Sequence, residues 1–274
     1  MPILYVLGWL VVQPLRLFWV NINSENLSLL GTVITFCFFL LSLPGWTRHR
    51  WGVVKPWVAI GLSEPFKLRT IIAFVKGFCL AFLLITVVLF SLWSGSWLKS
   101  FSVINLDQLI NAIFLGIGVG IAEELIFRGW LLGEMVRLLG SRVGVCTQAV
   151  LFSLSHIRFQ LPLSELIVLL FGLFLLGLVL GIRRSLDKGS LWGAIALHGG
   201  LVGGWFLINS GLILIDLNAP SWLVGPGGVN PNPIGGVGAI ISLSLILFYE
   251  RKALIGVGRS LDITVRASSK GQSP

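Results

Sequence analysis

Long apolar runs recur along the whole chain, and this feature most restricts what the chain can fold into. Crossing a hydrocarbon core of about 30 Å takes roughly 20 helical residues. The candidate spans are Leu27–Leu43, Ile71–Trp93, Leu109–Leu139, Val143–Ile157, Leu163–Ile182, Leu191–Ile208 and Ile234–Tyr249. Because they are spread along the chain, a removable signal peptide does not explain them. With 55% hydrophobic and 11% charged residues, an all-α, polytopic membrane protein with about seven or eight transmembrane helices is expected.

The basic residues alternate between the linkers of these spans. The rich linkers hold Arg48, Arg50, Lys55, Lys67 and Arg69; Arg137 and Arg142; Arg183, Arg184 and Lys188; and, in the tail, Arg251, Lys252, Arg259, Arg266 and Lys270. The linkers between them carry only Lys99, only Arg158 or, over residues 210–233, no basic residue. The positive-inside rule therefore places the rich linkers and the C-terminal tail in the cytoplasm. These cations are scattered over short linkers and do not form the basic patch that nucleic-acid binding needs, so nucleic acid is not an expected partner. Membrane lipids are the expected partners.

Three segments outside the seven spans carry further signals. The first 20 residues are apolar enough for an eighth span, but Pro14 and Arg16 interrupt them, which equally favours an interfacial or kinked helix. The loop DLNAPSWLVGPGGVNPNP, residues 216–233, is rich in Pro, Gly and Asn, which predicts an exposed connection without a helix. The tail RASSKGQSP predicts disorder.

The segment GIAEELIFRGW, residues 120–130, places three charges inside an apolar span. On insertion scales each unpaired charge at the bilayer centre costs about 2.5–3.5 kcal/mol. Glu124 and Arg128 are four residues apart on one helix face, which predicts an ion pair. Glu123 points roughly 100° away and has no basic partner on its own helix. A purely structural ion-pair cluster would explain the pair but not Glu123, which is expected to face a polar cavity as a general base or metal ligand.

Two of the three histidines lie inside predicted spans. His156 occurs in LFSLSHIRF and His198 in LWGAIALHGGLVGGW, whereas His49 lies in a basic linker. A single intramembrane histidine is more often a packing residue. Two imidazoles together with an unpaired carboxylate can instead bind zinc or activate a water molecule. The residues by themselves therefore predict transmembrane helices around a polar intramembrane cavity.

The order of these motifs resembles the CPBP family of intramembrane proteases, which includes CAAX prenyl endopeptidases and bacteriocin-processing relatives. The motifs are Glu123-Glu124-x-x-x-Arg128, Phe152-x-x-x-His156 and then His198 in a later span. The resemblance covers roughly residues 107–209. Each motif alone is weak, but their order in separate predicted spans is specific.

The resemblance implies an intramembrane endopeptidase that acts on a peptide or a lipidated-protein substrate. Glu123 would activate the attacking water, His156 would assist it, and His198 would stabilise the oxyanion or bind a metal. The supporting residues would be Glu124, Arg128 and Phe152. The family has been interpreted both as zinc-dependent and as glutamate-driven without an essential metal, so zinc, if used, would be bound by Glu123, His156 and His198.

One position departs from the family pattern. A polar residue such as Asn commonly follows the third-motif histidine by four positions, and this chain has Val202 there. Asn209 lies eleven residues after His198, about 16 Å along a helix axis, and is predicted to be too distant to replace it. The expected consequence is either a donor from another helix or a weakly active or non-catalytic protein.

Other functions fit the sequence less well. The chain has no His-Glu-x-x-His segment, no Gly-x-Ser-Gly segment, and only four aspartates, all at or beyond predicted span ends. A membrane binding or immunity protein of the same fold is the main alternative. A proton-coupled transporter would also use buried Glu and His, but no internal repeat is found.

The motifs also suggest a division of the chain. Residues 1–106 form an N-terminal membrane region with a basic cytoplasmic linker, and residues 107–209 form the catalytic core. Residues 210–274 would supply an outer loop, a last transmembrane helix and the tail. Gly116 with Gly120, and Gly177 with Gly181, predict close helix approach around the charged segment.

Overall fold

The computed structural model describes residues 2–15, 23–62 and 67–253. Its helices are α1 (Pro2–Val12), α2 (Ser24–Trp51), α3 (Pro56–Ala59), α4 (Leu68–Ser94), α5 (Leu106–Glu124), α6 (Leu132–Leu139), α7 (Ser141–Leu154), α8 (Leu163–Leu186), α9 (Trp192–Leu207), α10 (Ser221–Val224) and α11 (Val237–Tyr249). Two π-helical segments, Leu125–Leu131 and Ile208–Leu212, follow α5 and α9. Pro233–Gly235 forms a 3-10 turn, and the strands are β1 (Leu98–Phe101) and β2 (Ile213–Ile215).

Five helical stretches in the described residues are long and apolar enough to cross a membrane: Ser24–Trp51, Leu68–Ser94, Leu106–Leu139, Leu163–Leu186 and Trp192–Leu212. The chain is thus a multi-pass, predominantly α-helical membrane protein. Each of the seven predicted spans overlaps a helix, but α7 and α11 have only 14 and 13 residues. Helices of that length rise about 20 Å, less than the hydrocarbon thickness. The number of seven or eight spans therefore stays a prediction.

The chain divides into two compact units between residues 57 and 58. In the first unit α1 packs along α2, and a side chain added at Gly8 would lie within 2.7 Å of the Gly31 carbonyl oxygen. The Thr35 hydroxyl donates to that same carbonyl at 2.7 Å. With 11 residues, α1 is too short to cross a bilayer by itself. The predicted interruption at Arg16 lies outside the described residues.

In the second unit α9 packs between α4 and α5, and glycines allow the backbones to approach closely. A Cβ at Gly77 would lie 2.0 Å from the Gly193 carbonyl oxygen on α9, and one at Gly116 would lie 2.6 Å from that of Gly199. The close approach predicted for the α5 glycines is confirmed. It brings the charged end of α5 against the helix that carries His198.

Strands β1 and β2 form a short antiparallel pair next to the C-terminal end of α9. At these few residues backbone pairing between strands replaces helix hydrogen bonds, and the chain as described is otherwise consistent with the expected all-α class. The prediction that residues 216–233 contain no helix is wrong, because Pro220 starts the single turn Ser221–Val224. The tail for which disorder is predicted lies outside the described residues.

Candidate active site

The charged segment lies where α5 continues into the π-helical turn, and it holds a fully buried ion pair. Arg128 Nη1 donates to Glu124 Oε1 at 2.8 Å, and both side chains are 0% exposed. The Arg128 guanidinium lies 4.1 Å from the centre of the Phe152 ring. The predicted pair is confirmed, and the predicted span over residues 109–139 is one helical stretch that is π-helical at Leu125–Leu131. Such π-helical turns are frequent at functional sites.

Glu123 faces the two histidines, as predicted. Its Oε2 atom lies 3.4 Å from His156 Nε2 and 3.9 Å from His198 Nε2. The side chain of Glu123 is 27% exposed, in contrast to that of Glu124. The neighbouring glutamates therefore lie in different environments, one enclosed with its cation and the other open to a pocket.

The other ring nitrogen of each histidine is held by an acceptor. His156 Nδ1 lies 2.8 Å from the Phe152 carbonyl oxygen, and His198 Nδ1 lies 2.8 Å from Glu124 Oε1. A carbonyl and an ionised carboxylate only accept, so these partners assign the hydrogen to Nδ1 in both rings. The contact between His198 and Glu124 is absent from the sequence prediction.

At the centre of the site the two Nε2 atoms and Glu123 Oε2 face one another. Each Nε2 presents a lone pair towards Glu123 Oε2, which is buried and has no hydrogen-bond partner among the described residues. Three acceptor atoms that face one another repel unless a donor or a cation lies between them. A water molecule, which donates two hydrogens, meets this requirement.

Phe152 packs at the core of the site, which supports its predicted role. Its ring centre lies 4.7 Å from that of His156 and 5.7 Å from that of His198, and Phe127 packs edge-on at 5.1 Å. Because Phe152 is fully buried, it fixes both imidazoles against one rigid surface.

A pocket of about 270 Å³ opens in front of these residues. Glu123, His156 and His198 share its lining with apolar side chains and with four polar residues, Arg158, Asn209, Asn230 and Asn232. Val202 also lines the pocket, so the position where the family commonly has a polar residue is apolar here. Asn209 lines the same pocket as His198, and the prediction that it lies too far from His198 to replace the missing donor stays a prediction. The chain turns from α9 into a π-helical segment at Ile208, which straight-helix spacing does not anticipate.

Arg184, which the sequence places in a basic linker, has a structural role near the site. Its side chain is fully buried. It donates to the carbonyls of Arg128, Gly129, Gly189 and Ala59, the last two at 3.1 and 3.2 Å. Two of these carbonyls belong to the π-helical turn, so Arg184 ties the ion-pair segment to the start of α9. In the sequence, two adjacent arginines at the end of a span indicate membrane topology. The buried role of Arg184 is therefore not predicted from the sequence.

The chemistry of the cluster resembles zinc sites with two histidines and one glutamate. The contacts at the two Nδ1 atoms are also of the kind that orient metal-binding imidazoles. Yet the described residues contain no group of three or more His, Cys, Asp or Glu side chains placed to hold a metal ion. The side chains as placed do not fit a metal, and zinc binding stays a prediction.

Comparisons with known proteins divide the chain in two. Residues 1–55 match a family described as a domain of unknown function, DUF8676. Residues 104–203 match the family described as type II CAAX prenyl endopeptidase Rce1-like. Searches of curated proteins and of solved structures found no match. The second match spans all three motifs, from Glu123 to His198. The predicted resemblance to the CAAX prenyl endopeptidases is thereby confirmed for residues 104–203.

Proposed function

We propose that this protein is an intramembrane endopeptidase in which Glu123 activates a water molecule for attack on a peptide bond. The observation that carries the proposal is the convergence of Glu123 Oε2 with two imidazole Nε2 atoms in an open pocket. The family match supports a protease, since the matched family is one of endopeptidases. General bases of this kind contribute about 10²–10⁴-fold to a rate.

In the proposed reaction the water donates one hydrogen towards Glu123 and the other towards His156. Its oxygen attacks the scissile carbonyl carbon while Glu123 takes the proton, which leaves a tetrahedral intermediate with a negative oxygen. Collapse breaks the carbon–nitrogen bond, and protonated Glu123 returns the proton to the leaving amine. Atoms and charges balance without any further reactant.

His198 is the proposed partner of the negative oxygen. In the resting site His198 Nε2 carries a lone pair. When His198 takes up a second proton from solvent, its Nε2 hydrogen points towards the pocket, and the Glu124 carboxylate bound to Nδ1 stabilises the imidazolium. Glu124 and Arg128 would therefore act by positioning and charging His198. Asn209, which lines the same pocket, is a second candidate donor in place of Val202.

The substrate is proposed to be a peptide segment that reaches the pocket, carried by a lipidated or an unlipidated protein. The pocket wall beside the catalytic groups is apolar, with Leu173, Leu176, Leu201 and Ile234. Such a wall accepts apolar side chains next to the cleaved bond. The family name points to prenylated substrates, which makes lipid dependence a necessary comparison in the test.

The test is to compare peptide processing by wild type, Glu123→Gln and Glu124→Gln in membranes, with prenylated and unprenylated peptides. Glu123→Gln keeps size and removes the base, so it should lower cleavage by about 10²-fold or more while the protein stays folded and inserted. His156→Ala and His198→Ala should also lose cleavage. Glu124→Gln is the matched control. It leaves Arg128 buried without its partner, so it should lower the unfolding temperature in addition to cleavage, whereas Glu123→Gln should lower cleavage alone.

Equal processing by wild type and Glu123→Gln would contradict the proposal. In that case Val202, which leaves the expected polar position apolar, would favour the second candidate, a non-catalytic membrane protein that binds peptides in this pocket. Metal analysis of the purified protein, followed by chelation and zinc add-back, would show whether activity depends on zinc.

A further inference from the structure

The lining of the catalytic pocket carries a cation that the proposed reaction does not use. Of the described residues that line the pocket, Arg158 is the only Lys or Arg. It lies two residues beyond His156, in the chain that leaves α7. The same connection therefore places a proposed catalytic group and a positive charge on one wall.

The contacts of Arg158 leave much of its hydrogen-bonding capacity open. A guanidinium has five N–H donors in a fixed, planar arrangement. One described hydrogen bond involves it, from Nη1 to the Asn230 carbonyl oxygen at 3.2 Å. That bond holds the side chain against residues 230–233, which form the adjacent part of the pocket lining. A half-buried arginine anchored through one nitrogen is arranged to bind a planar anion with the others.

The charges around the pocket make a carboxylate the fitting ligand. The Arg128 charge is paired with that of Glu124, and most of the other residues that line the pocket are apolar. Glu123 repels a carboxylate near the reacting centre, so a carboxylate of a substrate is better accommodated beside Arg158. A carboxylate matches the guanidinium in shape and can accept two parallel hydrogen bonds.

We propose that Arg158 binds a carboxylate of the substrate and so sets which peptide bond lies against Glu123. This inference rests on the proposed peptide substrate, but it concerns binding rather than cleavage. The carboxylate has two sources, the C-terminal carboxylate of a peptide or the side chain of an Asp or Glu near the cleaved bond. In both cases Arg158 is a specificity-determining residue.

The competing role for Arg158 is structural, as a contact that holds the Asn230 segment in place. The two roles differ in their dependence on substrate charge. A structural contact would affect charged and uncharged peptides equally, whereas a carboxylate site discriminates between them.

The test measures binding of fluorescent Leu- and Ala-containing hexapeptides to the purified Glu123→Gln protein, which cannot cleave them under the proposed mechanism. One peptide ends in a free carboxylate, a second in an amide, and a third is amidated with one internal Asp in place of Ala. We expect the free-acid or the Asp peptide to bind about tenfold or more tightly than the neutral amide, in line with charge-assisted hydrogen bonds. Whichever of the two binds more tightly identifies the source of the carboxylate.

Adding Arg158→Gln to this protein should remove the preference and leave binding of the neutral amide unchanged. The matched control is Lys99→Gln, which removes a cation that Asp216 already pairs at 2.7 Å, and it should keep the preference. Equal binding of all three peptides, a preference that survives Arg158→Gln, or no binding at all would each overturn the proposal. Because binding is measured without turnover, these results are distinguishable from loss of cleavage in the Glu123→Gln test.

Discussion

The two ends of the second compact unit use their charges in different ways. At the closed end, defined by the turn Asp187–Gly189 between α8 and α9, three arginines are bound by backbone or carboxylate oxygens. Arg184 donates to four carbonyls, Arg183 pairs with Asp187, and Arg69 donates to the carbonyls of Asp187 and Lys188.

The pocket end, defined by Lys99, Arg158 and Asp216, is less completely bonded. Lys99 and Asp216 form one exposed pair. Arg158 makes one described hydrogen bond beside a pocket in which Glu123 Oε2 has no partner among the described residues. Buried polar groups that have all their hydrogen-bond partners stabilise a fold. Buried polar atoms left without a partner are where water, substrate or an ion is expected to bind.

The largest expected difference between the two ends is that they lie on opposite sides of the membrane. In a variant without Cys37, Cys79 and Cys146, which are exposed, we introduce Lys188→Cys or Ser221→Cys. The 16-residue α9 separates these positions along the chain, and the basic linkers predict that Lys188 lies in the cytoplasm. An impermeant thiol reagent added outside intact cells should label position 221 and not position 188. Labelling of both from one side would contradict the topology.

The next largest effect should come from the closed end. Arg184→Gln leaves several buried carbonyls without a donor, and each costs about 1–3 kcal/mol, so the loss should reach at least about 3 kcal/mol. Arg183→Gln, one residue earlier, is the matched control and should cost less because it removes a single partly exposed pair. Unfolding temperatures in detergent would measure both. A smaller loss for Arg184→Gln than for its neighbour would show that its carbonyl contacts are not stabilising.

The smallest effect should come from the exposed pair at the pocket end. The Lys99 ammonium and the Asn218 backbone amide hold the pKa of the Asp216 carboxyl below its ordinary value of 3.8. A lowered pKa contributes stability above the ordinary value, which is lost as the pH falls through the lowered one. Asp216→Asn should therefore lower the unfolding temperature slightly at pH 7, and the difference should shrink in acid. A difference that is independent of pH would show that the pair is not responsible.

Some features of the site follow from the sequence because they depend on local spacing. The i,i+4 spacing of Glu124 and Arg128 predicts their contact. Glu123 has no basic partner on its own helix, which predicts that it faces a polar cavity instead. Other features depend on distant segments. The bond from His198 to Glu124 joins residues 74 positions apart, and Arg158 reaches the pocket together with the Asn230 segment. Spacing along one helix carries no information on these contacts.

The sequence by itself determined that the chain lies in a membrane and which polar groups it carries there. Apolar runs commit the chain to helices, since each backbone polar group in a bilayer must be bonded within its own segment. Three charges and two histidines in such runs must then meet one another. What only the tertiary structure decided is which groups meet. Glycine contacts between α5 and α9 place His198 between Glu123 and Glu124, the π-helical turn sets Arg128 over Phe152, and Arg184 fixes that turn. Such choices depend on packing between helices, where fractions of an ångström decide which polar atoms are satisfied.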